Sequence, residues 1–502
     1  MVKTTPLTAI IAPPPTANGD LHVGHLSGPY LGADVLRRRL ALRGRRAVSA
    51  LSLDLNQSYV VTTAERLKCE PRALAETSHG EVGRTLAAAD IEFDIVGMPD
   101  GRYTEYVSDW FGKLHAAGAF LRVDRPAAYD CSRGRVLFES YASGRCPWCL
   151  ANTRGNICEC CGRPNDPLDL LDLHPTGGAV GAPLERLVQP AWMLDLEAYR
   201  TRISTVLDRL LVAPRPTLRR LIDDILGARL PLFPITFASS WGIPSPFDGA
   251  QGEVLNVWAE MVPGHYWWLR QAAAMRDCGD PFNAGDVEYF QYLGFDNSFF
   301  YVFAHLALAL AAEDAGLDAL LPSAFVTNEF LLLEDYKFST SQGHLIWGKD
   351  LLAASGADEV RFFLAWTNPE LQQSNFSHAS FESVVDKELR KPLASLFECN
   401  FEGAGDTERA RQLGRYNARL AAQFHSAYEA HSLRSIARVI SNAIVIAAEQ
   451  ASAGASCAAL APFLTTLALG AAPLVPGIAE RIWNLAGESG PMEWRESANC
   501  VP

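Results

Sequence analysis

Two histidines on either side of a glycine are the first residues whose types and spacing suggest chemistry. His22, Gly24 and His25 follow a run of three prolines at 13–15. A glycine lets a ligand approach the backbone closely, and imidazoles beside it can donate to phosphate oxygens as negative charge builds up in a transition state. The pattern therefore predicts a phosphate site used in nucleotide chemistry.

The second candidate set is a group of cysteines spaced C-x2-C-x8-C-x2-C, formed by Cys146, Cys149, Cys158 and Cys161. Four thiolates on two tight turns can surround Zn²⁺ tetrahedrally, and a site with four sulfur ligands has no open position for catalysis. We therefore predict a structural zinc. Cys160 is left as a spare thiol.

The elements around the histidine loop must place it at the edge of a sheet. Residues 7–12 and 47–53 have strand patterns, and residues 25–42 have the period of a helix that ends before Gly44. Strand, loop, helix and strand in this order predict parallel pairing and a doubly wound α/β sheet. The helix N-terminus would then point its free N–H groups at the phosphate. A further strand is expected at 254–258.

Composition narrows the class of protein. The chain has 502 residues with 57 Asp and Glu against 44 Lys and Arg, so it lacks the basic balance of a dedicated nucleic-acid binder. No apolar run approaches the ~20 residues that a bilayer-crossing helix needs, and the proline-broken start does not resemble a secretory signal. We expect several domains, no membrane association and a cytoplasmic location.

Several motifs together make a family resemblance. The loop at 13–25, PPPTANGDLHVGH, resembles the "HIGH" signature of class I aminoacyl-tRNA synthetases, and the run Lys337-Phe338-Ser339-Thr340-Ser341 resembles their "KMSKS" signature. The landmarks WGIP at 241–244, VW at 257–258 and LGFD at 293–296 are similar to those of the methionyl group. The resemblance implies activation of an amino acid with ATP and Mg²⁺ as an acyl-adenylate.

The resemblance also assigns roles to individual residues. It implies that His22, His25 and Lys337 have the catalytic role of stabilising the phosphates. It also implies that Asp54 binds the substrate α-amino group. The residues assigned to ATP are Gly24, Gly294, Asp296, Lys337, Ser339 and Ser341. Those assigned to the amino acid are Pro14, Thr16, Asp54, Trp258, His265, Asn297 and Tyr301.

The same resemblance implies a class I synthetase architecture: a Rossmann-type nucleotide-binding fold, a zinc-knuckle insertion and an α-helical C-terminal domain. We expect 1–117 and 231–325 to form the two halves of the catalytic domain, with 118–230 inserted between them as the connective domain. Residues 326–380 would carry the second signature loop and the stem, and 381–502 the helical domain.

Two positions depart from the family at the phosphates. Thr340 stands where the second lysine of the signature is expected, and Phe295 where the family has the lysine of G-K-D. The loss of one such cation can lower a rate by ~10²–10³. This favours either a slow, specialised enzyme or one whose phosphate contacts are rearranged, over a fast housekeeping enzyme.

The side-chain pocket departs as well. Thr16 and His265 replace tyrosines of the family, Asn297 replaces an apolar residue and Tyr301 replaces a histidine, while Trp258 remains. Buried hydrogen-bonding groups select substrates that can satisfy them. We therefore expect a small or polar amino acid rather than methionine.

Three fates of the acyl group stay open. A specialised enzyme would pass it to a small-molecule amine or hydroxylamine, as in hydrazine or natural-product biosynthesis, with a separate cupin-type enzyme as partner. A genuine methionyl-tRNA synthetase would pass it to tRNA. However, no Trp lies between Trp366 and Trp483 to stack on an anticodon base, and Pro392 should interrupt the first helix of the C-terminal domain. The third alternative is a non-catalytic binding module, against which the retained nucleotide residues argue.

Overall fold

The first part of the chain builds one half of a parallel sheet. The computed structural model describes residues 6–338, 344–399 and 407–493. A π-helical segment, Leu26–Tyr30, joins the first two helices. The elements of this part are β1 (Leu7–Ile11), α1 (Val23–His25), α2 (Leu31–Leu42), β2 (Ala47–Ser52), α3 (Ser58–Leu67), α4 (Pro71–Ala88), β3 (Ile95–Gly97) and α5 (Gly101–Ala116).

Antiparallel strands interrupt this pattern next. The elements are β4 (Leu121–Asp130), β5 (Arg135–Val136), β6 (Ala142–Arg145), β7 (Asn152–Arg154), β8 (Leu171–Pro175), β9 (Glu185–Asp195), α6 (Arg200–Leu207), α7 (Pro216–Leu226) and β10 (Leu232–Pro234). One sheet has the order β10-β9-β4-β5, and a smaller one, β7-β6-β8, lies beside the cysteine turns. This region matches the expected insertion, although the exact domain boundaries stay a prediction.

The parallel sheet is completed by the following segment. Its elements are β11 (Thr236–Ala238), β12 (Glu253–Leu255), α8 (Val257–Met275), β13 (Val287–Gly294), α9 (Leu306–Asp314) and β14 (Ala324–Asn328). The sheet order β14-β13-β1-β2-β3, with every pair parallel, confirms the predicted doubly wound α/β fold. Because the strands run in one direction, the segments after β1, β2 and β13 meet at the same edge.

The rest of the described chain is mainly helical, which confirms the expected helical C-terminal region. Its elements are β15 (Leu331–Leu333), β16 (Tyr336–Lys337), α10 (Gly348–Ser355), α11 (Ala357–Trp366), β17 (Ser374–Phe376), α12 (His378–Val385), α13 (Lys391–Phe397), α14 (Thr407–Glu429), α15 (Leu433–Ser452), α16 (Cys457–Ala471) and α17 (Pro476–Leu485). Among the described residues, none of the helices has the length and apolar character needed to cross a membrane.

Two local predictions were wrong. The strand expected at 254–258 ends at Leu255, because the Asn256 side chain accepts from the Trp258 N–H at 3.1 Å and caps helix α8. Pro392 does not interrupt the helix either. It follows a π-helical segment, Asp386–Arg390, and lies in the first turn of α13, where a missing N–H is tolerated.

A buried ion pair joins helix α11 to helix α2, which follows the first strand of the parallel sheet. Arg361 in α11 donates to Asp34 in α2 at 2.7 Å, and both side chains are almost fully buried. The same guanidinium donates to the carbonyls of Leu474 and Pro473, at 2.6 and 2.8 Å. A buried charge is tolerated only with such a full set of partners. These bonds therefore hold α11, the segment between α16 and α17, and α2 together.

Candidate active site

The two histidines of the phosphate loop contact each other. Their rings stack with centroids 3.7 Å apart, and the His22 backbone N–H donates to His25 Nδ1 at 3.2 Å. Because Nδ1 of His25 accepts this bond, the neutral ring carries its proton on Nε2. His25 is thus held as an N–H donor at the start of the helix, as its predicted role requires.

Electrostatics keeps both rings neutral. Burial and the nearby Lys337 lower the pKa of His25 to about 4, partly opposed by Asp20. Burial, His25 and Lys337 lower the pKa of His22 well below its usual value. Neutral imidazoles can still donate hydrogen bonds to developing charge, whereas a lasting positive charge at this site must come from Lys337 or from a metal ion bound with the nucleotide.

The second signature segment lies against the first. The Phe338 ring stacks on His22 with centroids 4.8 Å apart. A Cβ at Gly24 would stand 3.0 Å from His22 Nδ1 and 3.2 Å from Phe338, so a glycine at this position permits the close approach. The Lys337 ammonium bonds the Glu159 carboxylate and lies 4.6 Å from the centroid of the Phe330 ring.

Not every signature residue can be placed. Ser339, Thr340 and Ser341 lie outside the described residues, and their predicted contacts with ATP stay predictions. Phe295 is buried beneath the cysteine turns, where a Cβ at Gly162 would stand 3.0 Å from its ring. That position therefore contributes packing and no positive charge.

Gly294 and Asp296, the residues predicted to bind the nucleoside, lie at the carboxyl end of β13. A Cβ at Gly294 would stand 2.6 Å from the Asp296 carboxylate, so a side chain there would displace it. Asn297 donates to the same carboxylate at 3.1 Å. Burial raises the pKa of Asp296 to about 6, and the nearby Lys337 opposes the rise. Asn297 thus supports the Asp296 carboxylate.

Asp54 lies directly after β2 beside the phosphate loop. Its N–H donates to the Pro15 carbonyl at 2.9 Å, and its carbonyl accepts from Ala17 at 3.0 Å. Half-buried Pro14 precedes these contacts in the same loop. The Asp54 side chain is buried, and neither carboxylate oxygen has a hydrogen-bond partner among the described residues. An ammonium group would supply the missing donors.

Some of the residues predicted to bind the amino-acid side chain contact one another or lie close together, whereas others have different partners. Trp258 stacks on Phe300 with centroids 3.9 Å apart, and His265 Nε2 is 3.2 Å from the Tyr301 hydroxyl. Thr16 instead donates to Gln57 at 2.8 Å. A cavity of about 10 Å³ remains behind the His265–Tyr301 pair, with room for a single water molecule at most. Its polar lining is formed by His265, Tyr266, Tyr289, Gln291, Tyr301 and His305.

The four cysteines converge as their spacing predicts. All four Sγ atoms lie within 4.8 Å of one another, with Cys146–Cys161 at 3.8 Å and Cys149–Cys158 at 3.5 Å. Zinc–sulfur bonds of about 2.3 Å in a tetrahedron require sulfur atoms ~3.8 Å apart. The cluster therefore fits zinc, and Cys160 is exposed beside it.

Comparison with known proteins places this arrangement in a family. Residues 8–399 match the family model "tRNA synthetases class I (M)". The chain belongs to this family. The methionine–tRNA ligase of Caldivirga maquilingensis is 27% identical over 510 residues, which cover 96% of this chain and 86% of that protein. The ligase of Thermomicrobium roseum is 30% identical, over 76% of this chain and 65% of that protein.

A solved structure of Mycobacterium tuberculosis methionyl-tRNA synthetase in complex with methionyl-adenylate has a TM-score of 0.72, at 17% identity, over 97% of this chain and 94% of that one. At this identity the likeness supports the fold alone. Membership of the class I synthetase family makes the chain an ATP-dependent ligase.

Two buried acids of this class I synthetase were missed from the sequence. Glu139 accepts from the Ser58 N–H and hydroxyl at 3.2 and 2.9 Å. Glu260 accepts from Asn56 and the Tyr103 hydroxyl, all at 2.9 Å. Together with burial, the two glutamates raise the pKa of Asp54. Their signal in the sequence was an acid in each of the largely apolar runs VLFESYA and VWAEMV.

Proposed function

We propose that this class I synthetase activates a small or polar amino acid and passes the acyl group to a small-molecule amine or hydroxylamine. In the first step a carboxylate oxygen of the amino acid attacks the α-phosphorus of ATP. The bond to the bridging oxygen breaks, pyrophosphate leaves, and the aminoacyl-adenylate remains. Positioning and charge stabilisation suffice for this reaction.

The described residues support defined roles in that step. In this proposal His22 and His25 donate to the phosphates, and Lys337 binds the triphosphate once it leaves Glu159. In the same proposal Gly294 and Asp296 bind the nucleoside, and Asp54 binds the α-ammonium. Mg²⁺ bound with ATP would supply the positive charge that Phe295 does not.

The observation that carries the substrate class is the His265–Tyr301 hydrogen bond at 3.2 Å. The family resemblance assigns both residues to the amino-acid side chain, and behind them the space is about 10 Å³. A methionine side chain would have to separate them and leave two buried polar groups unpaired, at roughly 1–3 kcal/mol each. A small or polar side chain avoids this cost.

A second candidate function is methionine–tRNA ligation in translation. The observation that favours it is the extent of the match, because a methionine–tRNA ligase aligns with 96% of this chain. The polar pocket and the phenylalanine at 295 favour the specialised enzyme instead. With a small-molecule acceptor, a separate cupin-type enzyme as partner is part of the same proposal.

Amino-acid-dependent ATP–pyrophosphate exchange tests the proposal. We expect exchange without tRNA, and a better kcat/KM for glycine, serine or another small or polar amino acid than for methionine. Asp54→Asn should abolish exchange, whereas Asp248→Asn, at an exposed position, should not. Efficient charging of tRNA with methionine would establish the second candidate in place of the first.

A further inference from the structure

Two carboxylates in the amino-acid site have buried oxygens without donors. Asp54 and Glu139 are each 4% exposed. Both oxygens of Asp54 and Oε1 of Glu139 lack a well-aligned hydrogen bond among the described residues, although the Asn56 and Gln57 N–H groups lie near Asp54 and the Trp258 indole lies near Glu139. Buried polar atoms are almost always bonded, so such unpartnered atoms at a site call for a ligand. The missing partner must be a donor, because carboxylates only accept.

The segment after β2 brings these acids together. Asp54 opens the segment, Asn56 donates to both oxygens of Glu260, and Ser58 donates twice to Glu139 Oε2. Asp54, Glu139 and Glu260 therefore lie close together although they come from three separate parts of the chain. Glu260 is fully bonded, since Tyr103 supplies a further donor. Of the three acids, Asp54 and Glu139 have oxygens that still lack a well-aligned donor among the described residues.

The backbone holds Glu139 in position. Its φ of 41° lies in the left-handed region that few side-chain-bearing residues adopt. Gly155, with φ 54°, packs so closely that a Cβ there would stand 2.4 Å from Glu139 Cα. The Ser140 N–H also donates to the Ser58 hydroxyl at 3.1 Å. Glu139 is thus a fixed acid held by the packing of the insertion against α3.

The charges of the site are unbalanced without a second cation. Among the described residues, no lysine or arginine forms an ion pair with Asp54 or Glu139. One α-ammonium can neutralise only one of them. Burial raises the pKa of Glu139 to about 7, while Ser58 and the Trp258 indole oppose the rise. The contact with Trp258 places Glu139 at the end of the site that receives the amino-acid side chain or its acceptor.

We propose that Asp54 and Glu139 form a pair of ammonium subsites, with Asp54 binding the α-ammonium and Glu139 a second primary ammonium. This inference rests on the proposed amino-acid activation and specifies its substrate class. The second ammonium belongs either to the side chain of a short diamino acid or to an amine acceptor. For an acceptor, Glu139 takes one proton from the ammonium, and the free amine attacks the acyl carbon to form a C–N bond. The bond from the acyl carbon to the phosphate oxygen then breaks, AMP leaves, and the second nitrogen proton passes to the departing phosphate or to water.

Pyrophosphate exchange separates the two sources of the ammonium. The first arm compares 2,3-diaminopropionate, 2,4-diaminobutyrate, ornithine and lysine with alanine, 2-aminobutyrate, norvaline and norleucine. The second arm supplies the best neutral amino acid and measures AMP release and amide formation, by mass spectrometry, with amines and matched alcohols. Glu139→Gln is tested in both arms, beside the exposed control Glu480→Gln.

If the side chain supplies the ammonium, a diamino acid should exceed its neutral analogue by about 10- to 100-fold in kcat/KM. Glu139→Gln should raise the KM for the diamino acid, so that the kcat/KM ratio between the diamino acid and its neutral analogue falls to about one. If the acceptor supplies it, amine-dependent AMP release by the variant, measured relative to the variant's own exchange rate, should fall by a similar factor. Exchange with neutral amino acids also shows that the variant is folded.

Failure of the second ammonium subsite and failure of the proposed amino-acid activation give different results. Equal exchange with diamino and neutral amino acids, together with AMP release that is indifferent to amines or to Glu139, overturns the second subsite and leaves amino-acid activation standing. Lack of exchange with every amino acid overturns the proposed function and the subsite with it.

Discussion

The ammonium of Lys337 bonds the carboxylate of Glu159, which lies between Cys158 and Cys160 in the cysteine turns. Lys337 also acts on the pKa values of His25 and Asp296. A single side chain therefore links the cysteine cluster to both ends of the predicted nucleotide site. In this structure ATP must compete with Glu159 for the lysine.

Removing that competitor should strengthen ATP binding. Because both partners are about half exposed, the pair contributes at most about 1 kcal/mol. We expect Glu159→Gln to lower the KM for ATP by up to ~5-fold in pyrophosphate exchange, with Glu480→Gln as the control. A raised KM would mean that Glu159 positions Lys337 for the triphosphate and does not compete with it.

The cysteine cluster should contain one zinc ion per chain, measurable by elemental analysis. Cys149→Ser should release it and lower the melting temperature, because a structural zinc stabilises the fold around it. Cys160→Ser is the matched control, since this thiol stands next to the cluster without belonging to it. A metal-free preparation with an unchanged melting temperature would show that the cluster is not a zinc site.

His25→Ala should reduce the rate of adenylate formation by ~10²–10³ while changing ATP affinity little. The reason is that a hydrogen bond to phosphate oxygens gains strength as charge moves in the transition state. Single-turnover adenylation and equilibrium ATP binding measure the two effects, and His425→Ala, on an exposed helix face, is the control. Equal losses in rate and binding would make His25 a ground-state contact.

Titration of Glu139 should lower the stability of the ligand-free protein as pH rises from 5 to 8, in opposition to buried histidines such as His25, whose lowered pKa favours the folded state as pH rises. Burial raises the pKa of Glu139 from 4.5 to about 7, so in that interval the folded state binds more protons than the unfolded chain. The stabilisation that the protonated Glu139 carboxyl gives below pH 4.5 is lost as pH rises through 7. It amounts to about 1.4 kcal/mol for each unit by which the pKa in the folded state exceeds that in the unfolded chain.

Glu139→Gln removes this titration, so the difference in unfolding free energy between the variant and the unmodified protein, measured by urea denaturation, should grow from pH 5 to pH 8. At pH 8 the variant should therefore be more stable than the unmodified protein, with a smaller gain at pH 5. A profile that keeps its slope in the variant would assign the pH dependence to other groups, such as Glu260, whose pKa burial also raises to about 7.

The sequence by itself determined the features whose parts lie close along the chain. Cys146 and Cys161 are 15 residues apart, so two turns suffice to bring the four sulfur atoms together. The phosphate loop likewise depends on a strand, a glycine and a helix in direct succession. Parallel strand order followed from the alternation of elements, since it limits how they can pair.

Only the tertiary structure decided the charge and shape of the amino-acid site. Glu139 and Ser58 are 81 residues apart, and Asn56 and Glu260 are 204 apart. No periodicity relates such positions, and their contact depends on how the inserted segment packs back onto the sheet. The His265–Tyr301 bond and the Lys337–Glu159 pair arise in the same way. Spacing along the chain constrains contacts within a turn or a loop, whereas contacts between distant elements are selected by burial of the whole core.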